Sequence, residues 1–516
     1  MNLLKTLATI SGMTMLSRIS GMIRDILIAH AFGASAYTDA YNIAFRIPNL
    51  LRRLFAEGAF AQAFVPILAE YKNQQGHDAT KSLVDSVATL LTWCLLGTSI
   101  LGVIGAPLFV YALASGFAND PDKFNVTVVM TRIMFPYIGL ISLVALAGGI
   151  LNTWREFKIP AFTPVLLNLS FIFCSLVLTH FLKQPIYALA IAVVIGGILQ
   201  LAIQIPALIH IGMLPRISMH PLLALRDPGV LRVLRNMGPA IFAVSAAQFS
   251  ILINTNIASH LPAGSVSWLS YADRLMEFPT AMLGVALGTI LLPSLAKAHS
   301  VGDTKEYSAL LDWGLRLTFL LALPAAVGLA TLAEPLTSVL FHSGKFDNKA
   351  VIQTSHALIA YGIGLIGLIL VKILAPGFYA KQNIKTPVKI ALGVLAATQL
   401  MNYIFIPTLA HVGLALSVGL GACLNALFLF TALKRHNIYH PQPGWLLFFI
   451  KQAGALMLMG GCALGLSDRF DWLSMEIHAL HRTLYLGYVV LACAATYFSS
   501  LFAMGFRFRD FKRVTH

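Results

Sequence analysis

The sequence predicts an all-α polytopic membrane protein. About fourteen transmembrane helices are expected, as two six-helix lobes in a parallel pseudo-repeat plus two C-terminal helices. Three observations carry this. The 516 residues are 58% hydrophobic and only 11% charged, with a mean hydropathy of +0.78, whereas a soluble domain carries roughly 25% charged residues. The chain divides into apolar segments of the length that crosses a bilayer, about 20 residues each. Three pairs of similar stretches recur at one common spacing.

The first two segments lie near 7–30 and 37–69, the second long and expected to break at Pro48. Others follow near 83–115, 126–151, 161–181 and 186–211. A polar, basic connector then runs from His210 to Arg235. Six more segments lie near 237–258, 266–296, 312–341, 351–379, 387–408 and 411–433. A proline-rich connector, HNIYHPQPG, precedes the last two, near 446–466 and 483–505.

The repeat pairs VPILA at 65–69 with LPSLA at 292–296, FTPVLLN at 162–168 with KTPVKIA at 385–391, and YIGLISL at 137–143 with YGIGLIGL at 361–368. Six helices per unit is an even number, so both units keep one orientation, about an axis along the membrane normal. The expected lobes are 1–215 and 216–440, with 441–516 as an addition. Transporters built this way place their substrate between the halves. With the N-terminus in the cytoplasm, inside segments hold about twenty Lys and Arg and outside loops about six, the bias of a chain with both termini inside. That bias explains the net charge of +15 better than nucleic acid does, and no nucleic-acid partner is expected.

Several functions are excluded. The cysteines, Cys94, Cys174, Cys423, Cys462 and Cys493, stand singly in apolar runs, without the spacing of a metal or redox site. The histidines form no ligand pattern, and no metal site is expected. There is no Walker A loop, HExxH or G-x-S-x-G, so neither ATP hydrolysis nor covalent catalysis is indicated. The chain is read as no enzyme and as needing no cofactor; an energised step would draw on an ion gradient, the membrane potential or substrate supply. The first helix, basic only at Lys5 and interrupted by arginines, does not read as a cleaved signal peptide.

Charge is concentrated where it is least expected, from Ser17 to Glu57. The stretch carries Arg18, Arg24, Asp25, Asp39, Arg46, Arg52, Arg53 and Glu57. Charges at membrane depth are costly and are kept where they face a bundle interior or a water-filled cavity. At 100° per residue, Thr14, Ser17, Arg18, Gly21, Arg24, Asp25 and Ile28 share an arc of about 120° on the first helix. On the second, Asp39, Asn42, Arg46, Asn49, Arg53 and Glu57 recur at steps of three or four, with Arg52 off that stripe. The bland reading is internal ion pairing, Arg18 with Asp25 and Arg53 with Glu57. Against it, arginines outnumber acids, and arginine suits bidentate phosphate binding. The surplus predicts an anionic ligand such as a phosphate or pyrophosphate. The second half adds YADRLMEFP at 271–279, where Arg274 and Glu277 are one turn apart and form either a local pair or a further cavity arginine facing the first lobe. Lys372, mid-span, is either a cavity contact or structurally paired. Arg132 and Arg316, near span ends, are expected to snorkel, and Gly284-x-x-x-Gly288 to pack helices.

Longer stretches carry a family resemblance. SRISGMIRDILIA at 17–29, FRIPNLLRRLFAEGAFAQAFVP at 45–66, ADRLMEFP at 272–279, LGVALGTILLPSLA at 283–296, APGFYAKQNIKTPVKIA at 375–391 and PQPGW at 441–445 resemble the MurJ (MviN) family of lipid II flippases. That family lies within the multidrug/oligosaccharidyl-lipid/polysaccharide exporter superfamily. The resemblance covers essentially the whole chain. It implies fourteen helices, a bacterial cytoplasmic (inner) membrane location, and movement of undecaprenyl-pyrophosphate disaccharide-pentapeptide (lipid II) to the outer leaflet by alternating access. It implies binding of the pyrophosphate by Arg18, Arg24, Arg52 and Arg274, with Ser17, Asp25, Asp39 and Glu57 also at cavity positions; Arg53 and Glu277, from the charge pattern itself, join these as expected supporting or gating residues. It also implies a lipid-tail groove on the last two helices. Lipid II and the bilayer are the expected partners, with the peptidoglycan synthesis machinery a further candidate. Two other readings stand beside it. A flippase for another polyprenyl-linked saccharide would use the same pyrophosphate site. A cation-coupled drug exporter would need an acidic excess, and the excess here is basic.

Overall fold

The computed structural model describes residues 3–51, 60–474 and 478–507. All regular elements among them are helical. In chain order they are α1 (Leu3–Phe32), α2 (Ala36–Leu51), α3 (Phe60–Gln74), α4 (Gly76–Ile104), α5 (Ala106–Leu113), α6 (Pro121–Met134), α7 (Tyr137–Thr153), α8 (Lys158–Leu176), α9 (Tyr187–Ala202), α10 (Ile205–His210), α11 (Pro221–Ala224) and α12 (Pro228–Ser259). Then come α13 (Ser265–Pro279), α14 (Ala286–Val301), α15 (Thr304–Thr331), α16 (Ala333–Phe341), α17 (Asn348–Leu374), α18 (Pro376–Tyr379), α19 (Lys385–Leu409), α20 (His411–Arg435), α21 (Trp445–Ser467) and α22 (Ala479–Ala503).

Local chemistry sets many of these boundaries. Asp120, Asp227, Asp303 and Asp347 each cap a helix, accepting a hydrogen bond from a backbone N–H of the first turn. Pro121 and Pro228 follow two of these caps, where the missing N–H costs nothing. Pro136 separates α6 from α7, and one π-helical stretch, Thr280–Val285, follows Pro279. Proline removes the intrahelical donor, and such bulges are a usual accommodation.

Ten helical segments among the described residues are long and apolar enough to cross a membrane, as expected of a multi-pass membrane protein. They coincide with the third to sixth and the ninth to fourteenth expected spans. Helices also lie in the other four expected segments: α1, α2 and α3 on either side of residues 52–59, which fall outside the described residues, α12, and α13 with α14. Three of those four carry the charges the sequence singled out.

The chain forms two compact units, Met1–Val266 and Ser267–His516. In the first, Phe171, Tyr137, Met130, Ala40 and Ile28 centre one apolar core on α1, α2 and α6–α9. Phe64, Leu68, Leu83 and Ile150 centre another where α3, α4 and α7 meet. The helix expected to open the second repeat, α12, packs against α3, α4 and α5 and lies in the first unit. In the second unit, Leu295, Leu311, Ile373 and Leu433 join α14, α15, α17 and α20. Ala455, Met459, Val489 and Tyr497 join α21 and α22 to α15. Where α17 crosses α20, a Cβ added to Gly364 would lie 2.1 Å from the Cα of Gly419. In lipid, helix association depends on such close backbone approach.

Candidate anion-binding site

Helix α1 presents the polar face that its period predicts, and α8 completes it. Arg24, whose side chain is 13% exposed, donates from Nε (2.9 Å) and Nη2 (2.7 Å) to Oδ1 of the buried Asp25. Its Nη1 donates to Oδ1 of Asn168 at 3.0 Å. Asn168 in turn donates from Nδ2 to the Ser17 carbonyl and to Ser20 Oγ, both at 3.0 Å. The Phe171 ring lies 5.3 Å from the guanidinium carbon, adding a cation–π contact. Arg24 is therefore oriented from three sides. An arginine carries five N–H donors, and these bonds commit three, leaving two for a ligand.

The other site residues are placed as follows. Ser17 contributes its backbone carbonyl, through Asn168. Arg18 is exposed, and the ion pair considered for it with Asp25 is made by Arg24 instead. Asp39 belongs to a different cluster. It is 1% exposed and accepts from Lys123 Nζ at 3.3 Å and from the Gly264 N–H at 2.7 Å. The Lys123 ammonium sits 3.9 Å from the Phe117 ring centroid. Beside this cluster the Gly116 N–H donates to Ser259 Oγ (3.1 Å) and Asn256 Nδ2 to the Ala112 carbonyl (3.1 Å), fastening the α5–α6 connection to the end of α12. Arg46 reaches α12, donating from Nη1 to Thr255 Oγ1 at 2.6 Å. Arg52, Arg53 and Glu57 lie outside the described residues. In the second unit, Arg274 donates from Nη1 to Glu277 Oε2 at 3.0 Å, one turn away, with both side chains well exposed. The stem of Lys372 lies over Gly284, in the π-helical stretch, where a Cβ would meet its Cδ at 2.6 Å.

Asn168 was missed by sequence reasoning, although it ends the FTPVLLN stretch used for the repeat. A lone amide in an apolar span is the available signal. Lys123 carries no signal in the sequence beyond that of a cation between two apolar segments. Among the described residues no group of three or more His, Cys, Asp or Glu could hold a metal.

The profile of a family described as lipid II flippase MurJ matches residues 28–482. The chain is 58% identical over 513 residues, 99% of both chains, to the lipid II flippase MurJ of Burkholderia cenocepacia. It is 38% identical to the probable lipid II flippase MurJ of Vibrio cholerae, over 99% of this chain and 98% of the other. Among solved structures it resembles a lipid II flippase MurJ in an inward closed conformation, with a TM-score of 0.78 at 26% identity, covering 96% of this chain and 99% of that one. An inward-facing multidrug transporter of the MATE family shares the fold, with a TM-score of 0.65 at 13% identity over 83% of this chain. The chain belongs to the lipid II flippase MurJ family.

Proposed function

We propose that this protein moves lipid II from the inner to the outer leaflet of a bacterial cytoplasmic membrane, binding the pyrophosphate through Arg18, Arg24, Arg52 and Arg274. The observation that carries the reading is Arg24, held by Asp25 and Asn168 inside a membrane helix with two donors unspent. A pyrophosphate-sugar headgroup cannot cross hydrocarbon unaided, while a polyprenyl tail can stay in lipid. Arginines presented within the membrane meet the first need, and the apolar faces of α21 and α22 suit the second.

In this reading Arg24 and the exposed Arg18, about 9 Å apart along the helix axis, engage successive phosphate oxygens. Asp25 both orients Arg24 and offsets part of its charge, so that the anion is released rather than trapped. Glu277 acts likewise on Arg274, and Ser17 supports the site through Asn168. Arg53 and Glu57 are assigned to its support. Asp39, fastened to Lys123 and Gly264, is assigned to gating. The site is exposed alternately to the two sides of the membrane. No covalent step and no resident cofactor enter the cycle, whose energy comes from an ion gradient, the membrane potential or substrate supply. Both termini are cytoplasmic, in line with the Lys/Arg bias, and the peptidoglycan synthesis machinery is the natural consumer of the product.

The test is complementation of a strain depleted of its own lipid II flippase. Rescue by this chain, lost on single substitution of Arg18, Arg24, Arg52 or Arg274 by Ala with membrane insertion intact, is expected. Failure to rescue, with rescue of an O-antigen flippase defect instead, assigns the protein to another polyprenyl-linked saccharide. Survival of all four variants removes the arginine site.

A further inference from the structure

The carbonyl of Val103, near the end of α4, has no intrahelical partner. The residue four positions on is Pro107, which has no N–H to give. A backbone carbonyl left bare in a bilayer is costly. Arg132 of α6 supplies the missing donor, its Nε lying 3.2 Å from that oxygen. Arg132 is nevertheless exposed, and none of the ion pairs among the described residues includes it. One donor is spent on Val103 and four remain. A lipid-facing guanidinium fixed in this way needs an anion.

The same corner of the first unit holds a groove of about 530 Å³, bounded by α4, α7 and α9. Val103 lines it, and so does Pro136, four residues after Arg132 in the turn between α6 and α7. Leu95, Ser99 and Gly139 also line it, and Leu96, Ile100 and Ile198 are about half exposed at its mouth. The lining is almost wholly apolar, and Arg132 is tied to it through the carbonyl of Val103, near the far end of the α4 side. That is the polarity of one lipid molecule: a hydrocarbon chain with an anion at its head. Arg132 is six residues inside the expected span 126–151, about 9 Å along the axis. Helical side chains tilt toward the N-terminal end of their helix, so its stem can carry the charge to headgroup level.

We propose that this groove is a binding site for one glycerophospholipid of the surrounding bilayer. One acyl chain lies along α4 and α7, and the phosphate diester accepts hydrogen bonds from the Nη groups of Arg132. Fork-shaped guanidinium and phosphate oxygens match in geometry. Under the topology proposed above the lipid belongs to the outer leaflet; the site itself holds whether or not lipid II is the cargo.

The test titrates purified full-length protein in detergent with phosphatidylglycerol, with diacylglycerol of the same chains, and with undecaprenyl phosphate, read by native mass spectrometry. The unsubstituted protein is expected to bind phosphatidylglycerol at least about tenfold more tightly than diacylglycerol. Arg132→Gln, which keeps a donor for Val103, should reduce phosphatidylglycerol to the diacylglycerol level. Gly139→Leu fills the groove, since a Cβ there meets only Leu95 and Ser99, both at 3.9 Å, and should weaken both lipids. Equal binding of the two lipids by the unsubstituted protein overturns the proposal. So does an undiminished phosphate preference in Arg132→Gln, unchanged binding in Gly139→Leu, or displacement of the phospholipid by less undecaprenyl phosphate than phospholipid. Should Arg132→Gln misfold by thermal melting, Gly139→Leu decides alone.

Discussion

Arg24 can hold an anion only with the donors its neighbours leave free. Asp25 and Asn168 take three of the five, and in doing so fix the plane of the guanidinium. Orientation of this kind is worth a charge-assisted hydrogen bond, about 1.5–3 kcal/mol. Replacing Asn168 by Leu should therefore lower flipping at least about tenfold in a reconstituted vesicle assay, with the protein inserted normally; an unchanged rate removes Asn168 from the site. Asp25→Asn should act in the opposite sense on binding, with tighter retention of a pyrophosphate lipid and slower release. Normal release from that variant sinks the idea that the acid tempers the arginine. The polar face of α1 was legible because helical period alone generates it. The partner of Arg24 was not. Adjacent residues on a helix point apart, so spacing favoured Arg18 for Asp25. The long Arg24 side chain folds back onto its neighbour, a rotamer choice that spacing does not determine. Asn168 lies 144 positions away, and only the packing of α1 against α8 brings it near.

At the scale of elements, the connector before α21 is held by one carboxylate. Asp312 of α15, 1% exposed, accepts at Oδ1 from Tyr439 Oη (2.6 Å), the Gln442 N–H (3.1 Å) and Trp445 Nε1 (2.8 Å). Arg316 donates to its Oδ2 at 2.8 Å and to the Pro443 carbonyl at 2.9 Å, with its guanidinium carbon 4.9 Å from the Trp445 ring centroid. Arg316, expected to snorkel, is ion-paired to a buried acid one turn away. The PQPGW stretch, conspicuous in the sequence without a stated role, is the segment so fastened. Asp312→Ala leaves several buried donors and a charge unpaired, and should destabilise the folded protein by about 3–5 kcal/mol in denaturant unfolding. Asp312→Asn, which keeps an acceptor, should lose less. A second fastening joins α16 to α22. The Arg482 guanidinium, 6% exposed, donates from Nη1 to His342 Nδ1 (3.3 Å) and Ser338 Oγ (3.4 Å), and Ser338 donates to the Trp472 carbonyl. Burial first, and the Arg482 charge second, push the His342 imidazole below its ordinary 6.5, while Asn348 and Asp347 pull the other way. A base whose folded pKa is depressed binds its proton more readily when unfolded, so stability rises with pH across that window. The contribution is complete above 6.5 and declines as pH falls from there through the folded value. The melting temperature should therefore drop between about pH 7 and 5, and His342→Gln should flatten that slope; an equal slope in both proteins removes His342 as its source.

For the molecule as a whole, membrane class and helix positions were legible because bilayer thickness imposes one length and one composition on every span. The ten spans that pass on apolarity are those in which that constraint outweighs the few charged residues they carry. Segments such as α1 and α13, where charge competes with it, are not among those ten, although their length and composition marked them as spans in the sequence. The division by packing was not legible, since α12 docks on surfaces well over a hundred residues away in sequence, as its bonds to Glu70 (162 residues) and Ala112 (144 residues) show. Orientation, by contrast, rests on a sum over the whole chain, and can be tested as one. The orientation proposed from the bias of about twenty inside to six outside Lys and Arg puts the turn at Gln75–His77 and the one before α15 in the cytoplasm. It places the Asn119–Lys123 and Lys183 loops on the other side. Single cysteines introduced at Gln75, Asp303, Asp122 and Lys183, in a chain whose five native cysteines are replaced, should separate under a membrane-impermeant thiol reagent. Asp122→Cys and Lys183→Cys are expected to label in intact spheroplasts, and Gln75→Cys and Asp303→Cys only after permeabilisation. The converse pattern inverts the topology. It would also turn the Asp39–Lys123–Gly264 fastening from the outer end of the first unit to the inner, and with it the direction in which the gate assigned to Asp39 opens.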